Sequence, residues 1–413
     1  MRILFATYAE KSHFHVMVPL AWALHNAGHE VRVASQPELT ETITRAGLTA
    51  VPVGKNHSFW RANRVYSFFD PREESQLYDM TEPDETKLSW EVMSTGYSWF
   101  VRWWCWLVND GLVEELTDYC RQWRPDLVIW EPITYAAPIA ATASGAAHGR
   151  MMWCLDLFGR MRFRFTRAML AQPPADRKDP LVAWLRSRAA RVGVDYSDDM
   201  TTGQFTIDHT PPSFQLGLDL PYVPLRYVPY NDVAVVPDWL RAPPSRPRVC
   251  LTLGMTATER LDGYNVSVQD LLDSLADLDI ELVATISPAQ RERVRRVPPN
   301  TRVVPFVPLK ELVPSCAAVI NHGGNGTFYT TLAAGVPQLV LPTLFDEPVR
   351  AELLAEQGAG LMMRPSEVTG AGVRDNLLRL LGEPSLGANA RRLRAEIAAM
   401  PTPHQVAHRL TGG

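Results

Sequence analysis

The chain has 413 residues, room for two or three domains, of which 46% are apolar and 21% charged, an ordinary globular balance. A formal charge of −4, from 41 basic and 45 acidic side chains, supplies no bulk basic field for nucleic acid or an anionic membrane. No run of about 18 apolar residues occurs, residues 1–7 lead into no signal-peptide cleavage site, and the five scattered cysteines form no C-x-x-C pair, so the expectation is a cytoplasmic protein with reduced thiols.

Residues 2–6 read as a buried strand, Pro19 to Leu24 fall in helical rhythm stopped at Gly28, and residues 30–35 alternate as a second strand. That is the βαβ unit of a parallel sheet. Between residues 55 and 125 strand-like runs give way to aromatics at helical spacing, which predicts a helical insertion. Trp99, Trp103 and Trp106 would share one helical face there, with Trp90, Trp104, Phe68, Phe69, Tyr97 and Phe100 nearby. Core packing accounts for about half of such a stripe; a pocket for a large flat ligand or a protein interface accounts for the rest. Strands follow at 127–130 and 149–153.

All 12 tryptophans lie between Trp22 and Trp239, so the two halves use different residue palettes. From Pro221 to Pro247 there are seven prolines, which excludes a continuous helix or a central strand. Strands at 248–253, 281–286, 302–304, 317–321 and 338–341, with helices at 268–278 and 328–334, then resume the α/β rhythm. The predicted organisation is a domain over 1–223, a linker over 224–247, a second domain over 248–385 and a helical tail over 386–413 that crosses back to the first domain. In open parallel sheets ligands sit beyond the carboxyl ends of strands, so the residues after each strand carry the functional question.

The sharpest of these is Asn321-His322-Gly323-Gly324-Asn325-Gly326-Thr327, between a predicted strand and a predicted helix. Three glycines in four residues let backbone approach a ligand closely, and N–H groups at a helix start suit a phosphate. His322 and Thr327 add side-chain donors. After Gly335-Val336-Pro337 and one more strand, Asp346 and Glu347 stand where sugar hydroxyls could be bound; solvated loop acids would look the same.

His-Gly-Gly-x-Gly-Thr, then Ala333-Ala334-Gly335-Val336-Pro337-Gln338 and an aspartate past the next strand, resembles the nucleotide-sugar signature of family 1 glycosyltransferases of the GT-B fold. Lys11-Ser12-His13, Ala27-Gly28-His29-Glu30-Val31 and Trp123-Arg124-Pro125-Asp126 through Trp130-Glu131-Pro132 resemble a narrower group. Its members are the actinobacterial deoxysugar transferases of macrolide and anthracycline biosynthesis. The resemblance covers nearly the whole chain. It implies an α/β fold of two Rossmann-like, doubly wound parallel-sheet domains facing across a cleft. It also implies inverting transfer of a deoxysugar, an aminosugar by preference, from a dTDP-sugar co-substrate to a hydrophobic polyketide aglycone, with no metal required.

Carried onto this chain, the resemblance makes His13 the general base, with His15 its rival two residues on, and Glu131 the carboxylate that orients it, where the family more often has aspartate. The leaving diphosphate falls to Thr252, Gly254 and the turn 322–327, and the nucleobase to Phe306 and Val307, although Phe306 could equally be core. The donor sugar falls to Asp346 and Glu347, and the acceptor to Trp99, Trp103 and Trp153. An auxiliary protein resembling a cytochrome P450 and a homodimer are further partners the resemblance allows. Asp277-Leu278-Asp279 spells the D-x-D metal motif of another glycosyltransferase fold but lies at the wrong end of a strand, so it reads as a solvated turn.

Two other readings compete. A nicotinamide or flavin oxidoreductase needs a glycine-rich turn after the first strand, and residues 7–18 contain no glycine. A non-catalytic sugar-nucleotide binder or a sugar-nucleotide epimerase would keep the fold, but would need neither His13 nor an aromatic acceptor region.

Overall fold

The computed structural model describes residues 1–66, 81–254 and 267–412. They fall into two compact units: one holds the chain up to Arg226 together with the tail from Pro401, the other is Tyr227–Met400.

The first unit is built on a seven-stranded parallel sheet in the order β3-β2-β1-β4-β5-β6-β7. Its strands are β1 (Arg2–Ala6), β2 (Glu30–Ser35), β3 (Thr49–Pro52), β4 (Leu127–Trp130), β5 (Ala147–Met151), β6 (Thr206–Asp208) and β7 (Tyr222–Pro224). Helices cover both faces, so β1 and β4 are buried along their length and read as continuous apolar runs, Ile-Leu-Phe-Ala and Leu-Val-Ile-Trp. β5 begins two residues earlier than predicted. The helix Ala136–Ser144 ends on Gly145 in a left-handed conformation, which frees Ala147 to enter the sheet and leaves Trp153 in the loop beyond. Part of the proline-rich stretch is itself a strand: β7 includes Pro224 and lies at the sheet edge, where a missing N–H costs no ladder bond.

The insertion is helical in its described part, and Phe68 and Phe69 lie outside the described residues. The single tryptophan face does not form. Helix Trp90–Phe100 passes into a π-helical turn, Val101–Cys105, before Trp106–Asn109. The wider turn shifts the register. Trp104 therefore points inward, stacked on Phe59 at 5.5 Å and meeting Phe100 and Phe158 edge-on, while Trp106 is 43% exposed and Trp99 and Trp103 are half-buried. The tail returns to this unit: helix Pro403–Leu410 packs on helix Lys11–Asn26, and Arg226 N donates to Pro401 O at 2.7 Å.

The second unit carries a six-stranded parallel sheet, β10-β9-β8-β11-β12-β13. The strands are β8 (Arg248–Thr252), β9 (Glu281–Thr285), β10 (Thr301–Val304), β11 (Cys316–Asn321), β12 (Gln338–Val340) and β13 (Gly360–Met362). Alternate residues feed cores on opposite faces: Val249 and Leu251 join Leu282, Ala318 and Ile320 on one side, while Cys250 joins Val283 and Val319 on the other. All five cysteines are buried.

Candidate active site

In the first sheet the strand order reverses between β1 and β4, the switch point where a doubly wound sheet opens a crevice beyond its carboxyl ends. Helix Lys11–Asn26 starts from the β1 side and places His13 in its first turn; Glu131 follows β4 directly. Both are buried, Glu131 completely. His13 Nδ1 stands 3.2 Å from Glu131 Oε1, with its N–H off the line of a hydrogen bond. Glu131 is otherwise tightly held. Oε2 accepts from Ile133 N (3.0 Å) and the Thr134 hydroxyl (2.8 Å), and Oε1 accepts from Trp153 Nε1 (2.8 Å). Thr134 Oγ1 in turn accepts from Tyr8 N at 3.0 Å, tying the loops after β1 and β4 together. Trp153 lies flat on the His13 ring, centroids 3.7 Å apart at 20°, while Tyr8 meets it at 5.0 Å and 88°. With Nδ1 facing the carboxylate, Nε2 is the nitrogen left to take a proton; this tautomer is inferred from the contacts. His15 is half-buried and contacts Phe14 at 6.0 Å.

The second sheet reverses between β8 and β11, and the residues after those strands again converge. Gly324 caps helix Asn325–Ala334. The His322 imidazole is wedged between the two turns: a Cβ on Gly254 would come 2.4 Å from its Cε1, and one on Gly324 2.2 Å from its Nε2. Gly254 (φ +73°) and Gly323 (φ +90°) also occupy backbone conformations that side chains disfavour. Burial pushes His322 down to about 4, opposed by a contact with the Thr252 backbone and reinforced by the nearby Arg350 charge. It is neutral at pH 7 and offers one N–H. Tyr227 Oη donates to Gly326 O at 3.1 Å, and Asn321 Oδ1 accepts from Gly323 N at 2.7 Å, so the turn is fixed from both sides.

Asp346 and Glu347 border this turn but are not loop acids open to water. Asp346 is 1% exposed and its Oδ1 accepts from Arg350 (3.0 Å), which also donates to Gly323 O (2.9 Å) and Asn325 Oδ1 (2.9 Å). Glu347 Oε2 accepts from Thr343 N, Leu344 N and the Thr343 hydroxyl, with Oε1 3.9 Å from His322 Nε2; burial pushes its carboxyl up. Arg350 was missed in the sequence, although its spacing of four from Asp346 on a helix is a readable signal. Phe306 is 51% exposed and Val307 is buried, so Phe306 is not core. Asp277 and Asp279 lie in a turn, paired with Arg374 and Arg246 and largely exposed. Among the described residues no group of three or more His, Cys, Asp or Glu side chains is disposed to hold a metal, and no helix is long and apolar enough to cross a membrane.

A second polar cluster lies toward the β7 edge of the first sheet. Arg150 pairs with Asp156 at 2.8 Å, Tyr222 Oη donates to Asp156 at 2.7 Å, and Asp208 is buried beside them. Burial pushes Asp208 up to about 7, opposed by bonds from Thr210.

Two parallel-sheet units, each with residues converging at its own switch point, give the chain the GT-B fold, and its relatives make it a glycosyltransferase. The chain belongs to the family described as erythromycin biosynthesis protein CIII-like, whose N-terminal domain matches residues 22–254 and whose C-terminal domain matches residues 269–412. It is 48% identical to a 10-deoxymethynolide desosaminyltransferase of Streptomyces venezuelae over 98% of this chain and 95% of that one. It is 44% identical to an aclacinomycin-T 2-deoxy-L-fucose transferase of Streptomyces galilaeus, over 98% and 94% respectively. Among solved structures it resembles glycosyltransferase VinC in complex with dTDP, with a TM-score of 0.90 and 40% identity over 100% of this chain and 99% of that one.

Proposed function

We propose that this protein transfers a deoxysugar from a dTDP-sugar to a hydrophobic polyketide aglycone, with inversion at the anomeric carbon. The observation that carries the reading is the buried His13–Glu131 contact at the first switch point, in a chain whose relatives over its whole length are named for such transfers. His13 Nε2 takes the proton of the acceptor hydroxyl as its oxygen bonds the anomeric carbon, and the bond to the diphosphate oxygen breaks. Glu131 faces the imidazolium that forms. The negative charge on the departing diphosphate is met by N–H groups of the turn 324–327, the Gly323 N–H being held by Asn321, with Thr252 and Gly254 beside it and His322 and Thr327 as side-chain donors.

Phe306 and Val307 flank the nucleobase. Of the two donor-sugar carboxylates, Glu347 is the better placed, because Arg350 already holds Asp346. Trp99 and Trp103, half-buried on the insertion, face the aglycone. The reaction needs no metal, runs in the cytoplasm, and admits a homodimer or an auxiliary protein of the P450-like kind.

The test is an assay by mass spectrometry with dTDP-desosamine and dTDP-2-deoxyfucose against 10-deoxymethynolide and an anthracycline aglycone. A glycoside formed from either dTDP donor supports the reading. Hydrolysis or epimerisation of donor, with no glycoside from any pair, contradicts it.

A further inference from the structure

We infer that Trp153 is a positioning residue for the base, holding both the plane of His13 and the carboxylate of Glu131; the inference rests on His13 being that base. The contact between His13 and Glu131 is close but unaligned, so the carboxylate alone does not set the orientation of the ring. The ring is set by its faces instead, with the indole stacked on it at 3.7 Å and the Tyr8 ring against it nearly perpendicular. The same indole donates to Glu131 Oε1, the oxygen nearest His13. One rigid side chain from the loop after β5 therefore fixes both partners, while Ile133 and Thr134 hold the other carboxylate oxygen.

A side chain present only to fill the core would need neither contact. One present only to touch the acceptor would not donate into a fully buried carboxylate. Swinging the side chain by about twenty degrees about its Cα–Cβ bond moves Nε2 by roughly an ångström, a displacement that costs about a hundredfold in rate.

Two variants separate the two contacts. Trp153→Phe keeps a ring over His13 and removes the N–H; Trp153→Leu removes both. In protein labelled with ¹⁵N-histidine at pH 8, the wild-type His13 side chain is expected as a single Nδ1–H tautomer. The phenylalanine variant should keep one tautomer, and the leucine variant should show averaged ring nitrogens. With the dTDP donor and aglycone pair that forms glycoside, kcat should fall about tenfold in the phenylalanine variant and about a hundredfold in the leucine variant. Donor KM and thymidine diphosphate affinity should stay within twofold. Unchanged histidine signals in both variants overturn the inference, as does a raised acceptor KM at wild-type kcat, which would make Trp153 an acceptor contact. If the leucine variant does not fold, the phenylalanine variant decides through its kcat. Full turnover in His13→Ala is a different result: it removes the base reading itself, whatever Trp153 does.

Discussion

The two switch points occupy equivalent places in two parallel sheets and are built from opposite materials. After β1, β4 and β5 the proposed working groups are side chains, His13, Glu131 and Trp153, brought from three segments far apart in sequence and packed against one another. After β8 and β11 the proposed working groups are backbone N–H groups of a glycine turn that a histidine wedge and Arg350 lock in place. A proton-transfer site must tune and aim a titratable group, so it needs burial and partners. A site for a diphosphate must meet spread charge, which oriented backbone does at no cost in side-chain entropy.

The comparison can be broken most sharply at the first site. His13→Ala should cut turnover by about 10²- to 10⁴-fold, measured as glycoside released, with thymidine diphosphate affinity nearly unchanged. At the second site, Arg350→Met strips the guanidinium from buried Asp346 and releases the Gly323 carbonyl. Loss of one partner of a buried pair costs about 3–5 kcal/mol, so chemical denaturation should show a large drop in midpoint. Gly324→Ala drives a methyl group into His322 and should cost about 1–3 kcal/mol, together with nucleotide affinity by calorimetry.

Two further effects are in pH, and the two units slope in opposite directions. His322 titrates near 4 when folded against its ordinary value of about 6.5. Between those values the unfolded chain binds more protons. The contribution of neutral His322 is therefore complete above about 6.5 and is lost as pH falls towards 4. Asp208 is raised to about 7 from its ordinary value near 3.9, so here the folded state binds more protons. Its contribution is complete below about 4 and is lost as pH rises to 7. Asp208→Asn should therefore raise the melting temperature at pH 8 relative to wild type and give no such gain at pH 4. His322→Asn should flatten the acid side of the profile.

These same differences explain what could be read from the chain alone. The turn 321–327 was legible because it is contiguous and its chemistry lies in glycine spacing. The strand order was legible from buried apolar runs. The contact between His13 and Glu131 was reached only through resemblance, since 118 residues separate them. Trp153 was legible only as a candidate acceptor contact; its stacking on His13 was not, because nothing local reveals that β5 lies beside β4. The tryptophan stripe failed for another reason: a π-helical turn inside the helix breaks a periodicity that is assumed when residues are counted by 3.6.

The proposed division of labour puts base chemistry in the first unit and nucleotide binding in the second. Calorimetric titration of thymidine diphosphate into wild-type, His13→Ala and His322→Ala protein tests it most directly. An unchanged dissociation constant is expected in His13→Ala and one about tenfold weaker in His322→Ala, the loss of one buried hydrogen bond. Equal weakening in both variants, or none in His322→Ala, would contradict it.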